Sequence, residues 1–596
     1  MILNLHLLPK VFRTEGDMVD FEPSKILESL MKETGLSEDQ AKNITELVVR
    51  RIISSSIKFL SGPHIREIVC SILSEQHYEQ ERKLYTRIGM PLMDYEEFLE
   101  KDNAGNPERI HHWAANQLSE EYTLLRILND EESKAHLFGD IHIHMLKYFD
   151  LRPLSQNWDP RLILKNGLPP VNITGFCKSG PANNLGTAIH HLSTWLGMVQ
   201  GEFSENQGFD FLTTFLSPYS KGLSDNEVRI NIQNLIFEIN QLSGLIGRDF
   251  PFTSISCTPV VLDFFSEEPA IGPNGDVVGV YGDYNDECLR LFNILAEIYT
   301  SGDFYGNPFE FPKRLIFYNN DWINNYKEQY NKIWEEIYRM KTPYIVNFSS
   351  NWLQNKVSNQ YKGNGYKNYG ILQNICLNLP RYAYIGKNEQ NFFELLEDTL
   401  NLSADILVKK YNLIKRRLTS KHLPLCSGLI DNNFLFDIEK QNLAISFVGL
   451  NEAVKFLTDS ELHESPDSFN FGVKIVKAMK EQCGKLSEIN NKSISLMNTN
   501  SEKIRARFAK SDLLHFKKET TQLLLSENQQ GYTNSVHFRE TKNLNLYDRI
   551  RMQGEFHELI QNNVNEFISL NDVETNFNQL LEKICSQTKI GTIKFI

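Results

Sequence analysis

The stretch from Thr342 to Tyr384 most constrains what this chain can fold into, because two apolar runs enclose a polar segment rich in Asn, Lys, Tyr and Gly. It reads as a strand, a long loop and a second strand. A connection of roughly 20 residues without periodicity of its own is uncommon inside a compact domain and is usually functional. The loop contains no cysteine. Any chemistry placed there has to do without sulfur.

The rest of the 596-residue chain allows about three or four domains, or one large α/β barrel with an appendage. With 41% hydrophobic and 23% charged residues it is globular rather than disordered, and no apolar run approaches the length of a membrane span. The start, Met1 to Lys10, is too short for a signal core, so a cytoplasmic protein is expected. Eight cysteines are scattered singly, the closest pair being Cys257 and Cys288, so no zinc or redox Cys-x-x-Cys pair exists and no metal is expected. A net charge of −13 argues against broad nucleic-acid binding, which needs a basic face. A single nucleotide needs only a local pocket.

Taken in order, residues 11–98 carry four amphipathic segments punctuated by helix-start signals: Ser37 with Gln40 as a capping box, and Ser61 ahead of Gly62-Pro63. They follow a short ribbon, Val11 to Arg13 and Val19 to Phe21, turning at Glu15-Gly16-Asp17, with Lys25-Ile26 heading the first helix. This unit resembles the ATP-cone, a regulatory nucleotide domain. The resemblance implies ATP or dATP held by Arg13, Lys25, Lys83 and Arg87, with Tyr85 between the last two. The turn-rich run Asp102 to Pro107 marks a boundary, giving 1–98 as the cone, 99–135 as a linker with a first barrel helix, and 136–596 as a barrel.

That larger part resembles the anaerobic (class III) ribonucleoside-triphosphate reductases of archaeal type. The resemblance rests on Gly139 to Pro170 with its His142 and His144, on Pro308 to Lys313, on Asn378-Leu379-Pro380-Arg381, on Val448 to Ala453, on Arg507 to Asp512, and on Gly531 to Ser535. It implies an α/β fold, a ten-stranded reductase barrel of two antiparallel halves with the 342–384 segment as its finger loop. It also implies a homodimer through the helix at 184–200, with a dNTP site at that interface. The stripe Leu185, Ile189, Leu192, Leu196 and Val199 suits such a contact, although packing alone explains it.

The departures from the family are specific. Ser155 stands where the family has a cysteine facing the substrate, and Val357 to Tyr361 replace a Met-Cys-Cys-Arg-like finger tip. Cys376, expected to be a packed strand residue, is the nearest thiol. Asn378 carries over as a substrate-facing polar group. Asn500-Ser501-Glu502 replaces a phosphate-cradling Pro-Ala-Glu run, and Asn562 to Glu566 replace a Thr-Gly-Gly-Thr turn. The chain ends ahead of the place where the family carries a four-cysteine zinc site and an Arg-Val-x-Gly-Tyr glycyl-radical motif. The favoured reading is a nucleotide-binding homologue that is inactive alone, a sensor or partner subunit in deoxyribonucleotide supply beside a full-length reductase. Two alternatives stay open: the catalytic part of a split reductase whose glycyl radical another chain supplies, and a scaffold protein.

Overall fold

The computed structural model describes residues 10–12, 18–55, 60–90, 92–100, 107–246, 252–323, 325–363, 365–430, 432–524, 531–539, 544–573 and 577–596. The chain divides into two compact units, one of Met1–Gly105 with Ile110–Asp130, the other of Asn106–Arg109 with Glu131–Ile596.

In the first unit β1 (Val11–Phe12) pairs antiparallel with β2 (Met18–Val19) and parallel with β3 (Leu60–Ser61). Four helices follow from their own end signals: α1 (Pro23–Glu33), α2 (Glu38–Ser54), α3 (Gly62–Glu75) and α4 (Glu79–Tyr85). The Ser37/Gln40 capping box forms in full, and the Ser61 hydroxyl accepts from His64 N at the start of α3. Ile26 and Leu30 of α1, Ile44, Val48 and Ile52 of α2, and Val69, Ile72 and Leu73 of α3 recur at helical spacing and share one core. Each such side chain contributes about 1.5–3 kcal/mol on burial. The ribbon turn at Glu15-Gly16-Asp17, with Arg13, lies outside the described residues.

The second unit is built on a large mixed sheet. Five strands, β5 (Ser155–Trp158), β6 (Gln207–Phe209), β7 (Thr253–Cys257), β10 (Lys313–Tyr318) and β11 (Tyr344–Asn347), lie side by side and parallel. A second five run the other way. β12 (Tyr369–Asn378), β15 (Gln441–Val448) and β16 (Ile494–Leu496) continue from β5, and β18 (Thr592–Phe595) with β17 (Asn565–Ile568) continue from β11. The short β4 (Ile141–Ile143) adds to the far end of β12. Two hairpins lie off this sheet, β8 (Pro269–Ile271) with β9 (Val277–Val280) and β13 (Leu429–Ile430) with β14 (Asn433–Phe434).

The expected ten strands in two opposed sets of five are present, but the ladder is not a closed ring. It is open between β16 and β17. There Asn498 N donates to Asn562 O at 2.9 Å and Asn562 Nδ2 donates to Leu496 O at 2.8 Å. Gln561 and Asn563 adopt left-handed backbone, φ 64° and 50°, so a turn without glycine is built with an amide residue that tolerates that region.

Two further expectations are corrected. The finger segment is not a continuous loop, because Asn351–Tyr361 forms a helix within it. Its residues are weak helix formers, yet Leu353, Val357 and Tyr361 repeat at four-residue spacing and are buried, so tertiary packing outweighs propensity. The stripe on the helix Leu185–Val199 does not await a partner subunit. Leu185, Ile189, Leu192, Trp195, Leu196 and Val199 are all buried within the chain. The helix packs on Asp225–Ile246, and Trp195 meets Trp158 edge to face at 5.3 Å.

Candidate functional site

The first unit holds a cleft of about 410 Å³. Its walls come from the ribbon (Val11, Val19), the start of α1 (Glu22, Lys25, Ile26, Ser29), the start of α3 (Gly62, Pro63, Ile65, Arg66) and the segment after α4 (Tyr85, Arg87). Two helix N-termini therefore open on one space, and both begin with a proline in their first turn, as a chain turning into a helix from extended backbone favours. Their unpaired amides and dipoles favour an anion.

Of the four cations proposed from sequence, Lys25 and Arg87 line this cleft. Lys25 Nζ is 2.6 Å from Glu22 and half exposed; Arg87 is 3.5 Å from Glu67. Lys83 instead donates to Asp130 at 2.8 and 3.0 Å. Arg13 lies outside the described residues. The sequence reading missed Arg66. Its guanidinium forks onto both oxygens of Glu33 at 2.7 and 2.9 Å, donates to Tyr85 O at 2.6 Å, and lies 4.2 Å from the centre of the Tyr85 ring. Ser29 Oγ joins the same cluster, donating to Glu33 at 2.6 Å and lying 3.0 Å from the Tyr85 phenol oxygen. The Arg66 hydrogen bonds hold the Glu33 carboxyl below its usual range, and burial pushes the Tyr85 phenol up. The one available signal was a cation in the opening turns of a capped, proline-initiated helix.

In the second unit the finger helix is tied down at its middle and at its last residue. At the middle Lys356 Nζ donates to Gln561 O at 2.5 Å and Asn562 Oδ1 at 2.9 Å. Burial pushes this ammonium down to about 8. At the C-terminal end the Tyr361 phenol donates to Asp210, which also receives Asn157 Nδ2 at 3.1 and 3.2 Å and Ser256 Oγ at 3.4 Å. Burial raises the Asp210 carboxyl, and these three donors oppose the rise. The Tyr361 ring stands edge-on to Phe211 at 4.9 Å and Tyr369 at 5.8 Å.

Side chains alternate along a strand, so Ser155 is on the same face of β5 as Asn157, the face toward Asp210 and the finger helix. Cys376 is fully buried among Tyr384, Phe508 and Tyr532, and burial pushes its thiol up to about 12. Asn378 is also fully buried. Its Nδ2 donates to Gly139 O and to Asp512 Oδ2, both at 2.9 Å, while Arg381 Nε donates to Asp512 Oδ1 at 2.6 Å. Its amide thus ties the end of β12 to the helix Glu502–His515. His144 pairs with Glu205, and among the described residues no three metal-ligating side chains converge.

The fold is that of the anaerobic ribonucleotide reductases. The Thermotoga maritima enzyme with dATP bound in the specificity site superposes with a TM-score of 0.69 at 18% identity, over 89% of this chain and 91% of that one. The same enzyme in complex with dATP and CTP gives 0.69 at 16%, over 89% and 90%. The family model described as anaerobic ribonucleoside-triphosphate reductase matches residues 101–595, and the chain belongs to that family. The Salmonella typhimurium anaerobic ribonucleoside-triphosphate reductase is 21% identical over 92% of this chain and 84% of its own length. The Escherichia coli one is 25% identical over 32% of this chain and 28% of its own.

Proposed function

We propose that this chain is a nucleotide-binding member of the family that does not reduce ribonucleotides by itself, and serves as a sensor or partner subunit in deoxyribonucleotide supply. The observation that carries the reading is the finger segment. Residues 342–370 contain no cysteine, and two polar side chains of its helix, Lys356 and Tyr361, are engaged with this chain's own groups. A hydroxyl at Ser155 does not replace a thiol in hydrogen-atom transfer, because its O–H bond is much harder to break homolytically. Cys376 is fully buried in a core of aliphatic and aromatic side chains.

The retained function is at the cleft of the first unit, read as an ATP-cone that takes ATP or dATP through Lys25, Arg87 and the starts of α1 and α3. A ten-stranded reductase barrel and a homodimer through the helix Leu185–Val199, with a dNTP site there, belong to the same proposal. They rest on the family, since the apolar stripe that suggested the dimer is used inside the chain. No helix among the described residues is long and apolar enough to cross a membrane.

The test is anoxic turnover of the full chain with each ribonucleoside triphosphate, an activase and formate or thiols. No deoxynucleotide is expected. Deoxynucleotide formation that disappears on Cys376→Ala overturns the reading.

A further inference from the structure

The cleft of the first unit contains a cation that is already occupied. Arg66 lines the space, yet its fork of donors is taken by Glu33, a residue of α1 that does not itself face the opening. Both side chains keep partial solvent contact, 27% and 33% exposed, so the pair is neither sealed in the core nor free on the surface. Planar two-point pairing is what a guanidinium also offers to a phosphate, so a phosphate chain and Glu33 compete for the same donors. The Tyr85 ring beneath the guanidinium and the Tyr85 carbonyl beside it hold Arg66 in place whichever acceptor it serves.

We propose that Glu33 gates this cleft, occupying Arg66 when no nucleotide is bound and giving it up to the phosphate chain of an incoming nucleoside triphosphate. The inference rests on the nucleotide reading of the cleft and deepens it. Three consequences follow from the geometry. The carboxylate is an internal competitor of the ligand, so the empty cleft binds more weakly than its cations alone allow. Phosphate chain length matters more than the base, because the contested group is a phosphate binder. Ser29 and Tyr85, which share the Glu33 network, are the groups whose partners change on binding.

The experiment is calorimetric titration of the full chain with ATP, and with adenosine as the ligand lacking phosphates, on the wild type, E33Q, R66A, R66K and E33Q/R66A, each with its melting temperature. ATP is expected to bind E33Q about ten-fold more tightly than wild type and R66A about ten-fold more weakly, the size of one charge-assisted contact. The double variant is expected to bind no better than R66A, because the gate acts only through Arg66. Adenosine is expected to respond to none of the changes. If R66A does not fold, R66K, which keeps the charge but loses the fork, is expected to fall between it and wild type. Equal ATP affinity of wild type and folded E33Q overturns the gate while leaving the nucleotide reading in place. No heat from ATP with wild type or E33Q overturns both.

Discussion

The cleft of the first unit and the finger helix of the second both carry lysine and tyrosine, yet they treat them in opposite ways. In the cleft Lys25 is half exposed and paired with Glu22, and exposed pairs of this kind are worth about 0–1 kcal/mol. A ligand can replace such a partner at little loss. Along the finger helix Tyr361 is buried and Lys356 half-buried, and they are bonded to Asp210 and to Gln561 and Asn562. Breaking a buried contact leaves a polar group without a partner, which costs about 1–3 kcal/mol per group and more for a charge. One region leaves a lysine within reach of a ligand, and the other has used its lysine and tyrosine on this chain's own groups.

The sharpest way to break this contrast is Tyr361→Ala. It removes a fully buried ring and the phenol that serves Asp210, so the second unit is expected to lose about 3–5 kcal/mol in urea unfolding. A loss under about 1 kcal/mol would place Tyr361 with the cleft residues rather than the core.

Lys356 sharpens it through pH. Its folded value, about 8, lies below that of an unfolded lysine, so between about 8 and 10.5 the unfolded chain holds the extra proton. Below about 8 both states are protonated and the cost of burying the ammonium is fully present. Stability of the wild type relative to Lys356→Met is therefore expected to rise with pH across that window, by up to about 1.4 kcal/mol per pH unit. A flat difference between the two urea midpoints over that range counts against a buried ammonium.

A smaller effect is expected at Lys25. Lys25→Ala should leave the melting temperature unchanged while lowering ATP affinity, with about 1.5–3 kcal/mol the usual worth of a charge-assisted phosphate contact. Lys83→Ala is expected to change ATP affinity least, because that lysine is spent on Asp130. An equal loss from Lys83→Ala and Lys25→Ala would blur the boundary of the cleft.

Much of this molecule was readable in advance where the cause is local. The apolar runs at β11 and β12, the Ser37/Gln40 cap, and the break at Gly302 (φ 72°) after the helix Asn285–Ser301 all follow from residues within a few positions of one another. The cleft was half legible. Lys25 and Arg87 were found because they sit at a helix start and after a helix end, whereas Arg66 was missed because its meaning depends on Glu33, on another helix. The finger helix was missed for a related reason: polar residues hide the four-residue repeat of Leu353, Val357 and Tyr361.

By itself the sequence determined the two apolar strands around the finger segment, the absence of sulfur from residues 342–370 and the serine at 155. Those are matters of covalent composition and short-range backbone preference, which no packing can alter. The tertiary structure alone decided that the stripe on Leu185–Val199 is filled by the chain's own helices and that an asparagine turn spans the gap between β16 and β17. It also decided that Tyr361 meets Asp210, 151 positions away. Burial forces each polar group to find a partner, and which partner is near enough is settled only when distant segments have packed.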